Sequence, residues 1–223
     1  MKYSASKENY IKAIFHLQQE QESVTTNALA EALQTKPASV TAMLQKLQTQ
    51  QLLQYEKYHG VKLSAGGRKI AMQIVRRHRL WEYFLVEKLQ FGWEEVHEIA
   101  EELEHISSSK LVDRLEAFLD FPKADPHGDP IPDIHGKMPA VQQLAVCDMA
   151  VSSTGIVNGI SDQSAEMLAL LKHKNIQMGT RLEVKRKFSV DGSIELKIRQ
   201  QPAVTISGHV AKNLLVAYDN KHK

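Results

Sequence analysis

The chain has 223 residues, 43% of them hydrophobic, with a formal net charge of +2 and a single cysteine, Cys147. That length and apolar content suit a packed core in one large domain or two to three small ones. One cysteine excludes an internal disulfide and a cysteine-rich zinc knuckle. No apolar run approaches the roughly 20 residues of a membrane span, and the first residues lack a secretion signal, so no membrane partner and a cytoplasmic location are expected. The small net charge hides a gradient: residues 1–70 carry +4, residues 71–120 carry −5 and the remainder +3. A basic head suits a polyanion, and an acidic middle suits a cation.

In chain order, residues 4–20 predict a helix with Tyr10, Ile11, Ile14, Phe15 and Leu17 on one side. A short helix from Asn27 to Leu33 follows a Thr25-Thr26 cap. A third helix begins near Pro37, a residue suited to a first turn, and buries Val40, Met43, Leu44 and Leu47. Residues 52–63 read as a hairpin with its turn near Tyr58 to Gly60. Ser64 then caps a long helix to about Gln90, followed by an acidic helix and a shorter one ending near Asp120. Residues 121–136 are rich in proline and glycine and read as an ordered loop. Beyond them the period changes: residues 153–160, 181–188 and 193–199 alternate like strands, with Asp191-Gly192 as a hairpin turn and a helix over about 163–172. The expected fold is a mainly α N-terminal winged helix-turn-helix over 1–70, a helical domain over 71–137, and a small β domain over 138–223.

Helix, short turn, helix, then a two-stranded wing is the plan whose second helix enters a DNA major groove. On that helix Lys36, Ser39, Thr41, Gln45 and Lys46 can bond phosphates or base edges, while Pro37, Ala38 and Ala42 can touch thymine methyls. Lys57, Tyr58 and His59 at the wing tip suit backbone or minor-groove contact. With no arginine in the recognition helix, much of the specificity is expected from apolar contacts and DNA shape.

The acidic segment Trp93 to His105 holds six glutamates and two histidines without one Lys or Arg. As a helix it places His97, Glu101, Glu104 and His105 on one stripe, turned away from an apolar face of Val96, Ile99, Ala100, Leu103 and Ile106. Glutamates alone are usually a solvated face. Like-charged neighbours cost a few tenths of a kcal/mol each, a penalty that a divalent cation would remove, and two histidines on the stripe favour that second reading. His78 and Glu82, one turn apart on the long helix, can face a common point.

Glu8-Asn9-Tyr10, Arg77-His78-Arg79-Leu80-Trp81-Glu82, Val96-His97-x3-Glu101-x2-Glu104-His105 and the loop Asp125-Pro126-His127-Gly128-Asp129-Pro130-Ile131-Pro132 together resemble the diphtheria toxin repressor family of metal-activated transcriptional repressors. The resemblance runs from about Tyr3 to Pro132 and continues more loosely through a C-terminal domain similar to the family's SH3-like barrel. It implies that 71–137 is a metal-binding and dimerisation domain and 138–223 an SH3-like one, in a homodimer that binds a palindromic double-stranded operator when metal-loaded and represses metal uptake genes, with no small-molecule substrate. It implies one metal site of Asn9, Glu101, Glu104 and His105 with His78 close by. A second would draw on Glu82 and His97, or on Glu82, Asp125 and His127 with Asp162 of the barrel. Asn9 stands where the family usually has Met or Asp, and Asp125 where related loops often carry Cys. Every candidate ligand is thus oxygen or imidazole nitrogen, which suits Mn²⁺; Fe²⁺ is the alternative effector, and Co²⁺, Ni²⁺ or Zn²⁺ should bind in vitro. A di-metal carboxylate enzyme would need Glu-x-x-His on each of two helices, and this chain has Glu101-x3-His105 instead, so no enzymatic activity is expected. A winged-helix protein whose acidic helix merely holds a basic partner would show no metal dependence.

Overall fold

The computed structural model describes residues 3–19, 21–56, 60–199 and 201–218. They fall into two compact units that interleave along the sequence: residues 1–81, 100–120 and 132–138, and residues 82–99, 121–131 and 139–223.

The first unit opens with α1 (Ala5–Leu17), capped by the Ser4 side chain. Then come α2 (Thr26–Ala32), capped by Thr25 through the Ala28 N–H, and α3 (Pro37–Thr49), with proline in its first turn. The turn between α2 and α3 needs a left-handed backbone at Gln34, φ +48°. Strands β1 (Leu53–Glu56) and β2 (Gly60–Leu63) pair antiparallel, Leu53 opposite Leu63. Val24 bridges to Val61 as a third, single-residue edge. Gly60 makes this possible: at φ +118° a Cβ would sit 2.2 Å from the Val24 carbonyl oxygen. Ile11, Ile14, Leu29, Val40, Leu44, Leu47 and Ile74 fill the core, each buried side chain contributing about 1.5–3 kcal/mol.

Ser64 accepts from the Gly67 N–H at the start of α4 (Ala65–Leu89). The acidic helix α5 is shorter than its charge pattern, Val96–Leu103, and α6 runs from Ser109 to Phe118 behind a Ser108 cap. Arg76 ties α4 to α6 through Glu116 at 2.7 Å and Asp113 at 3.3 Å.

The second unit is built on a six-stranded antiparallel sheet. Three of its strands match the alternating segments: β4 (Thr154–Ile160), β5 (Arg181–Lys187) and β6 (Ile194–Ile198). Three others, β3 (Leu144–Ala145), β7 (Val204–Ile206) and β8 (Leu214–Tyr218), complete the order β3-β8-β4-β5-β6-β7. Helices α7 (Ala165–His173) and α8 (Gly208–Asn213) are each capped by a serine, Ser164 and Ser207. The Asp191-Gly192 turn forms as expected, the Asp191 carboxylate accepting from Ser193 N–H. Met149, Ile160, Leu168, Leu171, Ile176, Val184, Leu196 and Val216 make the core. Among the described residues no helix is long and apolar enough to cross a membrane.

Candidate metal centre and nucleic-acid interface

The loop after α6 organises the first set of donors. Asp125 folds 125–129 into a tight turn: its Oδ1 accepts from the backbone N–H of His127 at 2.8 Å and of Asp129 at 3.0 Å. Gly128, at φ +90°, lies so close to β4 that a Cβ would meet the Asn158 carbonyl oxygen at 2.1 Å. Ile160 N–H donates to the His127 carbonyl at 3.0 Å, fastening the loop to the sheet.

This anchoring fixes the His127 ring. Its Nε2 lies 2.8 Å from the Trp93 carbonyl oxygen, and the ring stacks on the Trp93 indole at 6.2 Å between centroids. A carbonyl only accepts, so Nε2 carries a proton, and in the neutral ring Nδ1 then presents its lone pair. That Nδ1 is buried with no hydrogen-bond partner among the described residues, 3.9 Å from Glu82 Oε2. Glu82, Asp125 and His127 are 1%, 6% and 0% exposed, and one ligand atom from each lies within 4.8 Å of the others. A lone pair facing a carboxylate in a dry place is unfavourable unless a cation stands between them. The donors fit a divalent ion: carboxylate oxygen and an imidazole nitrogen whose other nitrogen is oriented by a backbone carbonyl, the usual support of a metal-binding histidine. The exposed His97 joins from α5, its Nδ1 3.2 Å from Glu82 Oε1. Asp125 also borders an open cleft of about 800 Å³, shared with Trp93, Lys172 and Arg199. Asp162 is engaged elsewhere: it accepts from Ser164 N–H at the start of α7 and lies 3.3 Å from His209 Nε2. The Ser164 bond foremost holds its carboxyl below the usual range.

A second set of donors lies in the first unit. Glu104, fully buried, sits 2.7 Å from His78 Nδ1. Burial alone would push its carboxyl up, but the His78 hydrogen bond and the Lys12 charge outweigh this and hold it below the ordinary value. Glu8, also buried, receives Arg77 at 3.0 Å and His105 Nδ1 at 2.8 Å. Asn9 is exposed and lines a cleft of about 470 Å³ with Lys12, His16 and Glu101. The donors that this structure gathers are therefore Glu8, His78, Glu101, Glu104 and His105, with the ammonium of Lys12 among them. Lys12 Nζ lies 2.8 Å from Glu104 and 3.1 Å from Glu101. A divalent ion does not fit between Glu101 and Glu104 while that ammonium is there.

The expected single stripe of His97, Glu101, Glu104 and His105 does not form. The helix stops at Leu103, and Glu104 and His105 lie in the turn that follows. Glu104 is thereby carried inward rather than away from the apolar side. Glu8 and Lys12 are the residues missed. Glu8 extends the Ile11-Phe15 stripe of α1 by one turn, so a carboxylate on an apolar face was the available signal, with Lys12 one turn on.

Lys36 at the N-cap of α3 and Pro37, Ala38, Ser39, Thr41, Ala42, Gln45 and Lys46 on it are all exposed, while Val40, Leu44 and Leu47 are buried. Thr41 Oγ1 donates to the Pro37 carbonyl at 3.0 Å, which fixes its rotamer. Lys57, Tyr58 and His59 lie outside the described residues.

Residues 2–61 match the N-terminal DNA-binding domain of the iron-dependent repressors, residues 64–133 their metal-binding and dimerisation domain, and residues 145–218 the FeoA domain. The transcriptional regulator MntR of Oceanobacillus iheyensis is 39% identical over 120 residues, covering 54% of this chain and 81% of that protein. The iron-dependent repressor IdeR of Mycobacterium leprae is 32% identical over 57% of this chain and 55% of its own length. Among solved structures, a manganese-dependent transcriptional repressor in complex with manganese is 34% identical, with a TM-score of 0.85 over 95% of this chain and 99% of that one. ScaR with bound Cd²⁺ is 30% identical, with a TM-score of 0.80 over 96% and 99%.

Proposed function

The chain belongs to the iron-dependent repressor family of metal-responsive, DNA-binding transcriptional regulators, and from that premise we propose that it is a Mn²⁺-dependent, homodimeric repressor of metal uptake genes. The observation that carries the metal half is the buried Nδ1 of His127, whose lone pair faces Glu82 with no hydrogen-bond partner among the described residues. Glu82, Asp125 and His127 would hold the ion, with His97 beside Glu82. A bound divalent ion supplies positive charge that neutralises the facing carboxylates. Asp125 sets the loop, Trp93 orients the imidazole, and burial keeps water from competing for the donors.

The choice of Mn²⁺ rests on ligand chemistry. Every donor is oxygen or imidazole nitrogen, and no thiolate is present to favour a softer ion. Relatives described as manganese-dependent support the same choice; Fe²⁺ is the second reading, supported by the iron-dependent relatives.

The exposed face of α3 reads one half-site, and its twin in the dimer reads the other across a palindrome. The protein acts in the cytoplasm. Metal and operator bind with mutual reinforcement, because a coupling free energy between two sites is reciprocal. Fluorescence anisotropy with an operator library tests the reading: protein stripped by chelator is titrated with Mn²⁺ or anaerobic Fe²⁺ at fixed salt. Strong gain with Mn²⁺ is expected. Equal DNA affinity with and without metal would reject it.

A further inference from the structure

The donor cluster of the first unit contains its own cation. Lys12 Nζ lies 2.8 and 2.9 Å from the two oxygens of Glu104 and 3.1 Å from Glu101 Oε1. Its side chain is 12% exposed and that of Glu104 0%. At the other end of the cluster Arg77 bonds Glu8. Three carboxylates thus meet the side chains of Lys12 and Arg77, and His78 and His105 each place Nδ1 against a carboxylate. We propose that Lys12 is a tethered cation standing in for a metal ion between Glu101 and Glu104. This cluster then stays metal-free at concentrations that load Glu82, Asp125 and His127. The proposal rests on the reading of those three as the metal site.

Two physical arguments support it. An ammonium seated between Glu101 and Glu104 repels a divalent ion brought to the same oxygens, and with Lys12 12% and Glu104 0% exposed little water lies between them to screen that repulsion. Lys12 is also already delivered by α1, so its contact costs none of the translational entropy that a free ion loses. An incoming ion would have to drive the ammonium out towards the cleft of Asn9 and His16, leaving it beside the new charge. As a consequence α1 is fastened to the Glu101–His105 segment and to α4 with or without metal.

The test is Mn²⁺ stoichiometry by equilibrium dialysis and electron paramagnetic resonance of the full-length protein. The wild type should hold one tight ion per protomer. Lys12→Met, similar in length but uncharged, should gain a second, bound at least tenfold more tightly than any second ion of the wild type, whereas Lys12→Arg should not. Two tight ions in the wild type, or an unchanged count in a folded Lys12→Met, would overturn the proposal. Glu101→Gln at the half-exposed Glu101 serves if Lys12→Met does not fold: it should leave wild-type Mn²⁺ affinity within twofold, and a tenfold loss would overturn the proposal. A wild type without a tight ion whose Lys12→Met variant gains one would sink the Glu82 site and support the role of Lys12; no ion in either would sink both.

Discussion

His127 Nδ1 and Glu82 Oε2 stand 3.9 Å apart, both side chains 1% exposed. Two acceptors at that separation, in a place closed to water, are the geometry on which the proposed cation site rests. Replacing His127 by Gln removes the imidazole donor. Loss of groups that merely orient metal ligands costs 10–100-fold in affinity, so His127→Gln should weaken Mn²⁺ binding by at least about tenfold. Isothermal titration calorimetry checks this, and an unchanged Kd would remove His127 from the site.

The exposed residues of α3 should separate into two kinds. Lys36→Gln and Lys46→Gln remove phosphate partners, so each should weaken binding to all sequences alike and reduce the salt slope of log K by about 1. Gln45→Ala should cost about 1–3 kcal/mol on the best operator and relax preference at one base pair. Anisotropy titrations at several salt concentrations distinguish the two patterns; identical behaviour of all three variants would contradict this division.

Glu104 gives the metal-free protein an acid sensitivity. Its folded carboxyl lies below the ordinary value of 4.5, so the stability that it contributes is complete above that value and is lost as pH falls through the lower folded value. Urea unfolding in chelator should show Glu104→Gln clearly less stable than wild type at pH 7. The gap should narrow progressively below about pH 4.5. A gap independent of pH would mean that the charge of Glu104 does not contribute.

Gly60 should tolerate no side chain. At φ +118°, with the Val24 carbonyl 2.2 Å from the site of a Cβ, Gly60→Ala should destabilise the fold by about 1–3 kcal/mol. Thermal unfolding reads the stability loss, and an unchanged Tm would show that the wing can shift freely to make room.

Much of the fold was legible because its signals are local. The Thr25 cap, Pro37 at the start of α3 and the alternation of β4 to β6 all act within a few residues. β7 was not legible, since three residues carry no measurable period, and Leu214-Leu215-Val216 in β8 forms a continuous apolar run that strand and helix share. The loop motif around Asp125 and His127 announced one donor set. The single stripe expected of His97, Glu101, Glu104 and His105 did not form, because periodicity assumes a helix that continues and α5 ends before Glu104. Lys12 escaped notice because a lysine on a helix ordinarily extends into solvent; only the tertiary fold brings Glu104 to it.

The bond from Ile160 N–H to the His127 carbonyl has a consequence in time. During synthesis a chain folds from its N-terminal end as it emerges, so α1 to α3 and the wing can assemble while β4 is still being made. His127 cannot be held in place until β4 has joined the sheet, some thirty residues later in the chain. A newborn molecule would acquire its DNA-reading surface first and the proposed metal site last.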